Sequence, residues 1–257
     1  MKGLRMYSRI SWKRILVFMV IATVISNVFR FNIFELDLEI EGIPSWMTIL
    51  TRILLGGSGV IIGALIAISF LKKERKTDMT LLGTSISKSL LMAVIPIIFL
   101  TVIGVKNKFE LNIHFYGFIA IIGTLLYCIM EEYGWRGYLH EELKTLKAWQ
   151  KYVIIGCLWY LWHLTFLEKG ATVQNNIFAL SMMIFGSWGI GQVATSTKSI
   201  LASACFHLII QIMMFNGFIR DGITISEKLL ILSISIAIWF VIVKKWEKEN
   251  TGTLNKE

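Results

Sequence analysis

The chain has 257 residues, of which 55% are apolar and only two are proline, and its mean hydropathy is +0.66. That exceeds the apolar share of ordinary soluble domains and predicts an all-α, polytopic membrane bundle forming one integral domain over 1–257. The formal charge of +9 does not indicate a nucleic-acid partner, because the basic residues fall in short clusters between apolar runs, as they do in cytoplasmic loops.

In chain order, MKGLRMYSRISWKR carries five basic and no acidic residues ahead of the apolar run Ile15–Phe29. No small-x-small cleavage site follows, so the run reads as a first spanning helix rather than a cleaved signal. An acidic exit, FELDLEIEG, leads to the second run, Trp46–Leu71, where Gly59 and Gly63 stand at the spacing that permits close helix packing. KKERK at Lys72–Lys76 and a connecting stretch precede the third run, Ser89–Val105, in which Pro96 predicts a kink. The fourth, Ile113–Arg136, carries Glu131 and Glu132 at its far end and continues as the amphipathic GYLHEELKTLKAW. Within that continuation, Glu142–Lys147 reads as a solvated or membrane-surface helix.

A fifth run, Tyr152–Leu167, contains WYLWHLTF, and a sixth, Asn176–Ala194, is spaced by Gly186, Gly189 and Gly191. The seventh, Ser199–Ile219, holds His207, and the eighth, Leu229–Trp246, ends in KKWEKEN and a polar tail. At about 1.5 Å per residue each run approaches the roughly 30 Å of a hydrocarbon core. About eight transmembrane helices place both termini on one side. The excess of Lys and Arg on that side over the other predicts cytoplasmic termini in a bacterial-type cytoplasmic membrane. The three cysteines lie in apolar runs without CxxC spacing and read as small core residues.

Glu131 and Glu132 are the costliest residues to place. A charge within a spanning helix costs a few kcal/mol even on lenient insertion scales, so it faces a partner or a wet cavity. Helical rise puts Glu131 about 8 Å short of Arg136, and His163 and His207 roughly 18 and 13 Å along their own helices. All three then share one layer in the cytoplasmic half of the bilayer. A carboxylate and an imidazole in one desolvated pocket can deprotonate water and later protonate a leaving amine. The second histidine serves either the oxyanion or a His/His/Glu zinc site made of Glu131, His163 and His207.

Gln211 follows His207 by four residues and shares its helix face. Arg136 follows Glu132 by four and can neutralise it. Each residue also has a structural reading: the glutamates as a solvated helix end, a lone membrane histidine as a backbone partner. Together they favour a site. Trp135, Trp159 and Trp162 read as interfacial or packing aromatics, and His114 and His140 receive no role.

The order and spacing of these residues resemble the CPBP family, the CAAX proteases and bacteriocin-processing (Abi) enzymes. Glu131-Glu132-Tyr133-Gly134-Trp135-Arg136 looks like its EExxxR motif, Trp159–His163 its second motif, and His207–Gln211 a variant of its HxxxN. The resemblance covers Cys128–Gln211, inside a protease core at about 113–219. It implies an intramembrane endopeptidase in which Glu131 and His163 activate water, His207 and Gln211 stabilise the oxyanion, and Glu132 and Arg136 support the site. The substrate is then a membrane-associated peptide or protein, lipidated in one branch of the family, with bacteriocin maturation or self-immunity as bacterial roles. The family has been described both as zinc-dependent and as metal-free; the reading here is metal-free. Gln211 departs from the usual Asn. The alternative is a non-catalytic scaffold or immunity protein that uses the same pocket for binding.

Overall fold

The computed structural model describes residues 10–31, 44–69, 77–167 and 170–254. The acidic exit, Lys72–Lys76 and most of the N-terminal basic cluster lie outside them. Among the described residues the fold is all-helical, with one isolated backbone bridge between Thr80 and Ser199. The helices are α1 (Trp12–Arg30), α2 (Ser45–Ser69), α3 (Ile86–Ile103), α4 (Ile113–Glu132), α5 (His140–Glu142), α6 (Ala148–His163), α7 (Val173–Thr197), α8 (Ile200–Ile210), α9 (Gly217–Arg220) and α10 (Ile225–Leu254). Two π-helical segments extend α4 and α8, over Tyr133–Leu139 and Gln211–Phe215.

Polar side chains start several of these helices by accepting otherwise orphaned backbone N–H groups. Asn112 accepts from His114 and Phe115 ahead of α4, Thr172 from Asn175 ahead of α7, and Ser199 from Ala202 ahead of α8.

Among the described residues six helical segments are long and apolar enough to cross a membrane: Trp12–Arg30, Ser45–Ser69, Ile86–Ile103, Ile113–Glu142, Val173–Thr197 and Ile225–Asn250. The fifth and seventh expected spans differ from these. α6 has 16 residues and ends at His163 rather than at Leu167, and the apolar Ile200–Phe215 is also short. Each rises only about 24 Å, less than a hydrocarbon core. Both short helices carry a site histidine.

Small residues set the closest approaches. A Cβ on Gly59 would lie 2.5 Å from the Ser26 hydroxyl, and one on Gly63 would lie 2.9 Å from the Phe18 carbonyl, so the GxxxG face of α2 is the face that meets α1. Gly156 plays the same part between α6 and α7, where a Cβ would meet Ile184 Cα at 2.5 Å. Two buried apolar clusters result. One joins α2, α3, α4, α8 and α10 through residues such as Met92, Cys128, Cys205 and Trp239. The other joins α1, α2, the first π segment, α6 and α7 through Phe18, Trp135, Trp159 and Trp162. Glu131 and Glu132 stand at the seam between them, after Cys128 of the first and before Trp135 of the second. The cysteines are free, with Cys128 and Cys205 buried, in keeping with core roles.

α3 runs through Pro96 as a single helix. Proline has no N–H to give to the carbonyl four residues back, here that of Met92. Trp239 of α10 takes that place, donating Nε1–H to Met92 O at 2.9 Å in a buried contact.

The connection from Thr77 to Ser85 docks on the turn between α7 and α8. Thr80 N donates to Lys198 O, and Ile200 N donates to Thr80 O, both at 3.0 Å. Gly83 makes the close approach with φ +66°, and a Cβ there would sit 2.3 Å from Thr197 O.

The reading of Glu142–Lys147 as an exposed helix is overturned. The helix begun at Ile113 continues through the π segment to Glu142, and Leu143–Leu146 form a turn. Glu142 and Leu143 are buried. The Glu142 carboxylate accepts from Ser11 N at 2.9 Å and pairs with buried Arg14 at 3.5 Å, tying the start of α1 to the end of α5. Of the polar members of this stretch Glu142 faces a partner helix, while Lys144, Thr145 and Lys147 stay exposed.

Candidate active site

Glu131 and Glu132 are both fully buried. They sit at the last α-helical turn of α4, where the backbone widens into the π segment. Such bulges recur at functional positions because they re-aim side chains while keeping the backbone bonded. Gly134 lets the segment pack, since a Cβ there would lie 2.3 Å from Val60 Cγ1.

The two carboxylates have different surroundings. Glu132 Oε1 accepts from Arg136 NH1 at 2.8 Å and from His207 Nδ1 at 2.9 Å. Arg136 is itself fully buried, reaches toward Gly186 O at 3.5 Å, and lies 4.9 Å from the Trp159 ring centroid. This is a charge-assisted network in a low-dielectric site, where removing one partner strands the other. Glu131 has no such cation. Its Oε2 accepts two indole N–H groups, from Trp135 at 3.2 Å and Trp159 at 3.1 Å. The Tyr127 hydroxyl adds to the polar surroundings of the same carboxylate. Among the described residues neither Glu131 Oε1 nor Glu132 Oε2 has a hydrogen-bond partner, so each carboxylate keeps one oxygen free.

The histidines are fixed as tautomers by their acceptors. A carboxylate and a carbonyl can only accept, so His207 Nδ1–H points to Glu132 and His163 Nδ1–H points to Trp159 O at 2.8 Å. Each imidazole therefore keeps Nε2 as its acceptor nitrogen while the ring is neutral. For His207, Nε2 lies 4.0 Å from Glu131 Oε2 and 3.4 Å from the Gln211 amide, which donates to it while the ring is neutral. His163 is half-buried, at the end of α6, with its ring against Trp162 and Phe215.

The predicted residues thus converge: Glu131, Glu132, Arg136, His207 and Gln211 form one contiguous cluster, and Trp159 joins His163 to it. The predicted depth needs correction. Glu131 is 11 residues, about 16 Å, from Glu142 at one end of its helix, and about 27 Å from Ile113 at the other. His163 is the last residue of α6, about 22 Å from Ala148 and beside the end of α1. The layer is deeper than an end-of-helix motif implied, because the fourth span runs on past Arg136.

Trp135 and Trp159 also belong to this site, although their sequence context indicated packing. Both are essentially inaccessible, and both give their only N–H to Glu131. The spacing was a usable signal: Trp135 follows Glu131 by four residues and Trp159 precedes His163 by four, which puts each pair on one helix face. His140, assigned no role, is buried and tilted against Tyr152. His114 bonds Thr101 O at 3.0 Å through Nδ1.

The donor set also bears on a metal. Among the described residues no three His, Cys, Asp or Glu side chains are grouped to hold an ion. Glu131 Oε2 already accepts two indoles, and His207 Nε2 faces an amide. The trio Glu131, His163 and His207 does not fit a closed zinc site as arranged.

Beside His163 an apolar cleft of about 130 Å³ lies between α6, α7 and the end of α8, lined by residues that include Tyr160, Phe178, Met182, Met214 and Phe215.

Residues 113–213 match a family model described as Type II CAAX prenyl endopeptidase Rce1-like. The match spans α4 to the second π segment and includes every residue of the cluster. The matched segment is thus similar to the family that the three motifs resemble, and the long apolar helices make the chain a multi-pass membrane protein. No curated protein matches the chain.

Proposed function

We propose that the Rce1-like segment makes this chain an intramembrane endopeptidase that hydrolyses a peptide bond with water activated by Glu131 and His163. The observation that carries the reading is the difference between the carboxylates: Glu132 Oε1 is held by Arg136 and His207, while Glu131 Oε2 accepts two neutral indoles and lies 4.0 Å from His207 Nε2.

Water bound between Glu131 Oε1 and His163 Nε2 loses a proton to this pair as its oxygen attacks the scissile carbonyl. The negative charge moves to the carbonyl oxygen, where His207 and Gln211 are the nearest donors: Gln211 through its amide N–H, and His207 through Nε2–H when its imidazole is doubly protonated. The Nδ1–H bond to Glu132 supports that imidazolium. Collapse of the tetrahedral intermediate breaks the C–N bond, and the proton taken from water passes to the leaving amine. Arg136 holds Glu132, and the indoles of Trp135 and Trp159 hold Glu131 so that Oε1 faces the reacting water.

The substrate is a membrane-associated peptide or protein with an apolar residue or a lipid chain near the scissile bond, which suits the cleft beside His163. Maturation of a small peptide or immunity to a bacteriocin is the corresponding bacterial role. Positive charge at the N-terminal arm and between the second and third spans supports cytoplasmic termini.

The test compares wild type, Glu131→Gln and His163→Ala in detergent for cleavage of a peptide set that includes prenylated CAAX peptides, with and without a zinc chelator. We expect cleavage by wild type alone, unaffected by the chelator. Cleavage abolished by the chelator and restored by zinc sinks the metal-free chemistry. Folded variants as active as wild type sink the catalytic assignment, and a phenotype that survives both substitutions favours a scaffold.

A further inference from the structure

We propose that Arg30, with Asn27, is a positioning residue for His163: the end of α1, outside the matched segment, sets where the imidazole stands. The inference rests on the endopeptidase reading for its kinetic consequence, and its geometry stands apart from that reading.

α6 stops at His163, and Leu164 turns the chain with a left-handed φ of +55°. The last carbonyls of a helix have no partner within it, and hydrocarbon offers none. Here α1 supplies them. Arg30 NH1 donates to His163 O at 3.2 Å, and Asn27 Nδ2 approaches Trp162 O at 3.4 Å. In return Trp162 Nε1 donates to Ala22 O at 3.2 Å. The Arg30 guanidinium lies 4.3 Å from the Trp162 ring centroid, a close cation–π contact, and bonds Asn27 Oδ1 at 3.4 Å. One helix thus grips both final residues of another.

The grip reaches the imidazole through the Trp162 ring, which packs edge-on to the His163 ring with centroids 4.8 Å apart. The contacts that hold the ring of His163 include its own bond to Trp159 O, the Trp159 ring, the Trp162 edge and Phe215. Trp162 is completely buried and is held on its far side by α1. Arg30 is exposed, so its place is not dictated by core packing. Its charge also acts on both Glu131 and His163.

A plain helix cap would alter stability alone. A positioning residue alters the chemical step, because a catalytic group displaced by about 1 Å can cost as much as a hundredfold in rate.

The experiment uses the full chain in detergent and compares wild type, Arg30→Ala, Arg30→Lys and Asn27→Ala, with Glu131→Gln and His163→Ala alongside. Thermal unfolding, cleavage kinetics, and the ring signals of isotopically labelled histidine are read on each. Four histidines make the spectrum assignable by single replacements. We expect Arg30→Ala to lower kcat about ten- to hundredfold with KM nearly unchanged and to shift the His163 ring signal. Asn27→Ala should do less, and Arg30→Lys, which keeps a cationic donor, should recover most of the rate and the signal.

Wild-type kcat and an unmoved His163 signal in Arg30→Ala overturn the proposal. So does a loss of rate that follows lost folded fraction alone and is not recovered by lysine. If Glu131→Gln and His163→Ala are as active as wild type, the endopeptidase assignment of these residues fails instead. The His163 signal then decides the positioning by itself.

Discussion

Trp159 donates its indole N–H to Glu131 Oε2 at 3.1 Å while its own carbonyl accepts from His163 Nδ1 at 2.8 Å. One residue thereby orients both groups assigned to water activation. It couples α6 to α4 through a bond to a buried carboxylate, a class of bond stronger than a neutral one.

Trp159→Phe keeps the ring packing and removes only the N–H. A hydrogen bond to a charged group contributes about 1.5–3 kcal/mol, so we expect a rate loss of about tenfold or more with a nearly unchanged KM. Trp135→Phe should act in the same direction, and because both indoles bond one oxygen the double variant should depart from additivity. Cleavage rates of the two single variants and the double variant check this.

Glu132 and Arg136 are both fully inaccessible and 2.8 Å apart. Removing one partner of a buried pair costs about 3–5 kcal/mol, because the other charge is left uncompensated. Glu132→Ala and Arg136→Ala should each lower the unfolding temperature sharply, and the double variant should cost much less than the sum. Thermal unfolding in detergent gives the coupling, and additive costs refute it.

Trp239→Phe should destabilise by about 1–3 kcal/mol, the penalty of an unsatisfied buried acceptor, because Met92 O then loses its donor. In a Pro96→Ala background the helix can supply its own N–H to Met92 O, and the cost of Trp239→Phe should shrink. A four-variant stability cycle measures the difference. Equal costs in both backgrounds separate the tryptophan from the proline.

Gly134→Ala should cost about 1–3 kcal/mol as an overpacking substitution, since its Cβ would stand 2.3 Å from Val60 Cγ1. Val60→Ala should relieve it. Gly189→Ala meets no atom within 4 Å and should be neutral or stabilising by up to about 1 kcal/mol through helix propensity. Unfolding temperatures distinguish the two glycines, and the same cost at both contradicts the packing argument.

Much of the bundle was legible because hydropathy and helix length are local quantities. The runs around α1, α2, α3 and α7 were found within a few residues, and Gly59 and Gly63 marked the α1 contact because close approach requires small residues at a fixed spacing. The ends of α6 and α8 were not legible. A left-handed turn at Leu164 and a π segment at Gln211 end those helices inside continuous apolar sequence, where hydropathy does not change. The buried fate of Glu142 was hidden for a related reason: its partner, Arg14, is 128 positions away and carries no mark of the pairing.

For the site, the chain's own order determined the chemistry available: paired glutamates four residues from an arginine, two histidines in apolar helices, and an amide one turn after the second. Those residue types and spacings follow from covalent sequence and helical period. Which carboxylate takes the charged partners and which the indoles, which imidazole nitrogen is bonded, and the enlistment of Trp135, Trp159 and the end of α1 were decided only in three dimensions. Each depends on a hydrogen bond or a ring contact, and the decisive ones span 28 to 135 positions. In a bilayer every buried donor and acceptor has to find a partner within the protein, so it is the packing of whole helices that settles which partner each one takes.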